Sequence, residues 1–156
     1  MRFAALLLCI FVAGAADAAP VTGRASVIDA DTIEMRDTRF RLFGIDAVEA
    51  RQLCHREGKA WPCGRRAAFA LSDHLDQRPV TCVPTGKKSW ERLVARCFLA
   101  GKDIAAWLVR EGWAVASPKH SADYLEMEAE ARRLSKGIWQ GSFTKPWDCR
   151  KGAPGC

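Results

Sequence analysis

From Arg24 to Ile45 the chain reads as three short strands separated by tight, acid-containing turns, and this is its tightest constraint on fold. Arg24 to Ile28, Thr32 to Met35 and Thr38 to Ile45 are rich in β-branched and apolar residues, with Asp29-Ala30-Asp31 and Arg36-Asp37 between them. Val80 to Val83 and Leu93 to Leu99 read as two further strands. Between and after these come three helical patterns. Gly64 to Leu75 places Ala67, Leu71 and Leu75 on one stripe. Asp103 is placed to cap a helix carrying Ile104, Trp107 and Leu108 that stops before Gly112. Ser121 is expected to cap a third helix that buries Tyr124, Met127, Ala131 and Leu134 and ends by Gly137. The order β-β-β-α-β-β-α-α fits an α+β fold, a five-stranded OB-type Greek-key barrel packed with three helices. Such a barrel serves nucleic-acid and oligosaccharide ligands alike, so fold alone leaves function open.

The N-terminus speaks to compartment. Arg2, the apolar run Ala4 to Val12 and Ala16-Asp17-Ala18 have the form of a signal peptide cut after Ala18. The run is too short for a membrane span, and no later stretch is apolar enough to be one. Cys9 is read as part of the discarded leader, because Leu8 is too bulky to precede a lipid-carrying cysteine. The expected division is residues 1–18 as leader, 19–143 as one domain and 144–156 as an irregular cysteine-containing tail. The location is then periplasmic or extracellular.

Seven cysteines become six after processing: Cys54, Cys63, Cys82, Cys97, Cys149 and Cys156. An even number in an exported domain reads as a disulfide framework. No pair has the short spacing of a structural zinc site. Connectivity stays open at this level, and near-neighbour pairing (54–63, 82–97, 149–156) is the simplest arrangement.

With 24 Lys+Arg against 18 Asp+Glu, a formal charge of +6, the chain suits a polyanionic partner. Three segments hold residues able to act on one. The first is the turn Val27-Ile28-Asp29-Ala30-Asp31-Thr32, in isolation more often a solvated self-capping turn than a metal site. In Arg41-Leu42-Phe43-Gly44-Ile45-Asp46-Ala47-Val48-Glu49, Arg41 and Asp46 fall on opposite faces of a regular strand. They serve one site only if the strand ends or bulges near Gly44. The third segment, Trp90-Glu91-Arg92-Leu93-Val94-Ala95-Arg96, enters a strand; Arg96 is read as a surface charge. Together they supply two acids for a hard cation, two guanidinium groups for a phosphate and a spare glutamate to take a proton from water. His55, His74 and His120 share no motif and are read as ordinary surface or helix residues, the tryptophans mostly as core. Neither a Gly-rich phosphate loop nor a Ser-His-Asp arrangement is present.

With VIDADT, RLFGIDAVE, WERLVA, AWLVREGWA and GIW in this order, the chain resembles the staphylococcal nuclease family from about Arg24 to Phe143. The resemblance implies an endonuclease that uses one Ca²⁺ to cut DNA and RNA, leaving 3′-phosphates, as a monomer with single-stranded nucleic acid as substrate. It implies Asp31 and Asp46 as calcium-binding carboxylates, the Ala47 main-chain carbonyl as a further ligand and Asp29 as a nearby acid. Arg41 and Arg92 match phosphate-clamping arginines and Glu49 the general base. Lys87 and Lys88, in the loop before Trp90, read equally as a solvated loop or as a contact for the nucleic-acid backbone, and Trp90 is able to stack on a base. Departures from the family pattern are Ala30 for glycine, Ala47 for threonine, Val48 for the proline before the glutamate, Trp90 for tyrosine and Glu91 for the glycine before the second arginine. No tyrosine follows Trp113-Ala114, where relatives often have base-stacking aromatics. Val48 is expected to loosen the loop presenting Glu49, and Glu91 to strain its turn or pair with Arg92. These departures keep a second reading in view: a catalytically weak or inactive module binding single-stranded nucleic acid or an anionic polysaccharide.

Overall fold

A computed structural model describes residues 19–153 and 156. The expected leader, Cys9 included, lies outside the described residues.

The expected first strand is two. β1 (Val21–Arg24) pairs with β8 (Pro79–Ser89), and β2 (Ser26–Asp29) pairs with β3 (Thr32–Met35). The hydrogen-bonded path runs β1-β8-β9-β4-β3-β2, with β4 at Thr38–Leu42 and β9 at Arg92–Leu99. No ladder joins β2 to β1 among the described residues, so the sheet is open rather than a closed five-stranded barrel. Ala25 alone separates its two end strands in the chain, however, and that one-residue link draws the ends together and curls the sheet. The α+β, OB-like class holds. β4 and β9 run parallel, and the other ladders of this path are antiparallel. Arg36 and Asp37, both with positive φ (49° and 60°), make the tight β3–β4 hairpin.

β4 stops at Leu42, short of the expected Ile45. Phe43 and Gly44 turn the chain, and Ile45–Ala47 becomes β5, which pairs with β11 (Ala114–Ala116) in a separate ribbon. Gly44 is required here: its φ is +76°, and a Cβ would meet Tyr124 Cε2 at 2.6 Å. A second ribbon absent from the sequence reading, β6 (Cys54–Arg56) with β7 (Lys59–Trp61), precedes α1 (Cys63–Leu75). Their residues are largely exposed, so they lack the alternation that marks a half-buried strand.

Ala67, Leu71 and Leu75 form the buried stripe of α1 as expected. The short β10 (Lys102–Asp103) leads into α2 (Ile104–Arg110), whose first amides are capped by the Asp103 carboxylate at 2.8 and 3.2 Å. The third helix departs from expectation. α3 runs Leu125–Arg133, and the Ser121 hydroxyl accepts from the Asp123 amide in the preceding turn instead of capping the helix. Tyr124 and Ala131 are buried, but Leu134 is exposed because the helix has ended before it. A 3-10 turn (Gly137–Gln140) and the short α4 (Pro146–Cys149) follow. Ile33, Phe40, Leu42, Leu71, Val80, Ile104 and Leu108 are buried in the core. The tryptophans Trp61, Trp107, Trp113, Trp139 and Trp147 are half-buried against it, while Trp90 is 91% exposed.

All three disulfides form with near-neighbour pairing: Cys54–Cys63, Cys82–Cys97 and Cys149–Cys156. Cys82 and Cys97 lie directly across the β8–β9 ladder. Closing a loop of that size is worth about 3 kcal/mol.

Candidate active site

The β2–β3 turn is self-capping, and both of its acids line a cavity. Asp29 Oδ1 accepts the Asp31 amide at 3.0 Å, closing the turn. That rotation drives Asp31 inward, where it is 3% exposed. Ala30 keeps a negative φ, so the missing glycine costs nothing there. Asp31 Oδ1 accepts the Thr32 hydroxyl at 2.9 Å, and Oδ2 accepts the Ala47 amide at 3.3 Å.

Arg41 extends from β4 between two acids. Its Nη2 lies 2.8 Å from Asp31 Oδ2 and 2.7 Å from Asp46 Oδ1. The end of β4 before Gly44 meets the condition that strand parity imposed. Asp46, on β5, is 5% exposed. Arg92 opens β9, with Nη1 donating to the Thr32 hydroxyl at 3.1 Å and Nε to the Ser89 carbonyl at 3.4 Å. Asp29, Asp31, Arg41, Asp46, Glu49 and Arg92 line one cavity of about 450 Å³, as do Ala47, Lys87, Lys88 and Trp90. The five chemical side chains are thus gathered at one place.

The departure at Glu91 is resolved by the turn geometry. The positive φ falls on Trp90 (58°), not on Glu91, which is exposed and does not line the cavity. Arg92 is held instead by Thr32 and Ser89. The loop after Val48 is likewise better held than the lost proline suggests. Gln52, 1% exposed, accepts the Glu49 amide at 3.0 Å and donates to the Thr144 carbonyl at 2.6 Å. Its own amide donates to the Glu49 carbonyl at 2.8 Å, and the Cys54–Cys63 bridge closes behind it. Substituting Gln52 by Leu removes the acceptor of the Glu49 amide and one donor to the Thr144 carbonyl. The expected loss is about 1–3 kcal/mol, the cost of one hydrogen-bonding group left without its partner, read by urea unfolding. Unchanged stability would show that the loop is held by something else.

Burial pushes the Asp31 carboxyl up to about 7, against the Arg41 charge, with the neighbouring Asp29 and Asp46 carboxylates adding to the rise. Two buried, neighbouring carboxylates are the oxygen donor type that a hard cation takes. Asp31 and Asp46 fit that role. No cluster of three or more His, Cys, Asp or Glu groups fit to hold a metal occurs among the described residues. Other oxygens, from backbone, water or substrate, would complete any shell. Ala47 itself meets Asp31 through its amide.

Several residues escaped the sequence reading. Arg150, from the tail, reaches Asp46 and Glu49; its guanidinium is held above its ordinary range chiefly by the hydrogen bond to Asp46. A lone arginine in a glycine-rich tail carries no local signal. Gln52 carries none either. His120, read as an ordinary surface residue, lines the cavity with Ser117, whose hydroxyl is 2.8 Å from His120 Nδ1. Arg96 is more than a surface charge. It pairs with Asp123 at 2.7 Å, donates to the Tyr124 hydroxyl and stacks over Phe43 at 4.4 Å. His74 stacks on Trp107 with ring centroids 3.8 Å apart.

A curled OB-like sheet with buried acids and arginines at its rim is the architecture expected of the nuclease class suggested by the sequence. The family described as staphylococcal nuclease homologue matches residues 39–141. This chain belongs to that family. It is 39% identical over 140 residues to the succinoglycan biosynthesis protein ExoI of Rhizobium meliloti, covering 87% of this chain and 72% of that one. The probable endonuclease LCL3 of Scheffersomyces stipitis is 32% identical over 112 residues, 64% of this chain and 46% of LCL3. An uncharacterized endonuclease of Haemophilus influenzae is 27% identical over 120 residues, 72% of this chain and 62% of its own length. The chain therefore spans about half the length of the yeast relative.

Proposed function

We propose that this chain is a calcium-dependent endonuclease that hydrolyses phosphodiester bonds in DNA and RNA and leaves 3′-phosphates. The observation that carries this reading is the convergence of Asp31, Arg41, Asp46, Glu49 and Arg92 on one cavity from three separate segments. The names of the endonuclease relatives support it.

In this reading Asp31 and Asp46 hold one Ca²⁺, with the Ala47 carbonyl as a further ligand and Asp29 fixing the turn. Bound there, the ion supplies Lewis-acid polarisation of a phosphate oxygen. Arg41 and Arg92 bind the remaining phosphate oxygens and stabilise the added charge of five-coordinate phosphorus. Glu49 takes the proton from the attacking water, which enters in line with the departing 5′ oxygen. Lys87 and Lys88 draw in the nucleic-acid backbone, and the exposed Trp90 stacks on an unpaired base. Exposure of that ring on a loop favours single strands, whose bases are free. The protein acts as a monomer in an oxidising compartment outside the cytoplasm, where its three disulfides persist.

Denatured DNA and an RNA oligonucleotide are expected to be cut in calcium and left intact after chelation, with activity restored by added calcium. Cleavage that continues in excess chelator would sink the cation role. The name of the Rhizobium relative favours a second reading, an anionic-polysaccharide binder. Tight polysaccharide binding with no nicking of nucleic acid in any divalent metal would select it.

A further inference from the structure

Arg150 belongs to no strand of the site, yet it makes the tightest contacts there. Its Nη2 lies 2.6 Å from Asp46 Oδ2, and its Nη1 lies 3.0 Å from Asp46 Oδ1 and 2.7 Å from Glu49 Oε1. One planar fork thus grips one carboxylate with both nitrogens and a second with one of them. The tail that carries it is anchored at several points. α4 buries Pro146 and Cys149, Gln52 donates to Thr144, and Lys145 Nζ sits 4.6 Å from the Trp139 ring. Cys149, next to Arg150, is bridged to Cys156. Arg150 is therefore held in place by its own segment before it meets the carboxylates.

The two bound acids have different duties in the function proposed above, on which this inference rests. Asp46 Oδ1 is shared with Arg41, which also reaches Asp31. Oδ2 is turned toward Arg150. The fork engages both Asp46 oxygens, so a cation held by Asp46 would share them with Arg150. Glu49 has its backbone fixed by Gln52, but a glutamate side chain retains three rotatable bonds beyond that. Arg150 supplies the missing restraint at the carboxylate itself.

We infer that Arg150 is a positioning residue that clamps the Glu49 carboxylate to Asp46, fixing the base relative to the cation ligand. It does so at a cost to cation affinity, because its positive charge competes for Asp46. That combination separates a positioning role from a merely structural one.

The test uses the full disulfide-bonded chain with wild type, Arg150→Ala, Glu49→Gln and the double variant. Turnover on denatured DNA is measured alongside calorimetric titration with calcium alone. Arg150→Ala is expected to lower kcat about 10–100-fold with KM little changed. It is expected to bind calcium several-fold more tightly. In the Glu49→Gln background the same substitution is expected to change kcat by no more than about twofold, because the group it positions has lost its function. Arg150→Lys, which keeps the charge but not the fork, is expected to regain part of the rate. The inference is overturned if Arg150→Ala keeps wild-type kcat, if its loss is equal in both backgrounds, or if calcium binding weakens together with rate. If Arg150→Ala does not fold, Arg150→Gln goes through the same cycle. A Glu49→Gln enzyme as fast as wild type overturns the general-base assignment instead, whatever Arg150 does.

Discussion

Glu49→Gln is expected to lower turnover on denatured DNA by about 10²–10⁴-fold, the range a positioned general base contributes. Oligonucleotide binding is expected to stay close to wild type. The amide is nearly the same size as the carboxylate and still accepts the Arg150 N–H through its oxygen, so loop and fork keep their places. What it cannot do is take a proton from water at neutral pH. The loop itself hangs on Gln52 through the backbone of residue 49, which the substitution leaves unchanged. Measuring kcat and binding on the same preparation separates the two effects. An equal fall in both, or a rate loss under tenfold, would remove Glu49 from the role of base.

The second large effect separates the two clamping arginines. Arg41 pairs with two buried carboxyl groups, whereas Arg92 bonds to two hydroxyls and a carbonyl. Arg41→Ala is expected to cost about 2–4 kcal/mol of stability, because charge-assisted hydrogen bonds to two buried carboxyl groups are lost together. Arg92→Ala leaves behind only neutral groups and is expected to destabilise by no more than about 1–2 kcal/mol. Both variants are expected to lose about 10²–10³-fold in kcat, the usual loss for one donor to a developing oxyanion. Urea unfolding in the absence of divalent metal, paired with turnover at calcium saturation, resolves the difference. If Arg92→Ala unfolds as readily as Arg41→Ala, the buried pairs are not what sets Arg41 apart.

These expectations give a physical reason for the family departures in this chain. Proline before the glutamate is gone, but a buried glutamine and a tail arginine hold Glu49 by hydrogen bonds at its backbone and its carboxylate. Glycine before the second arginine is gone, but the left-handed residue of that turn is Trp90, so Glu91 keeps an ordinary backbone. The first draws on a contact with the distant tail, whereas the second is local to its own turn.

Local chemistry was enough for much of the framework. Strands with turn residues between them, the stripe on α1, the Asp103 cap and near-neighbour cysteine pairing are short-range properties, readable because neighbours in sequence meet in space. The α3 start was misread because Ser121 uses its hydroxyl within its own turn, and nothing local distinguishes that from a cap. The β6–β7 ribbon was invisible because exposed strands lack periodicity. The residue types a phosphodiester site needs were also legible, as a set of acids and arginines in order along the chain. Tertiary structure alone decided that they meet: the turn at Gly44 moved Asp46 off the strand of Arg41, burial raised Asp31, and the tail brought in Arg150. Such convergence depends on how separate segments pack, and packing is a property of the whole chain rather than of any window along it.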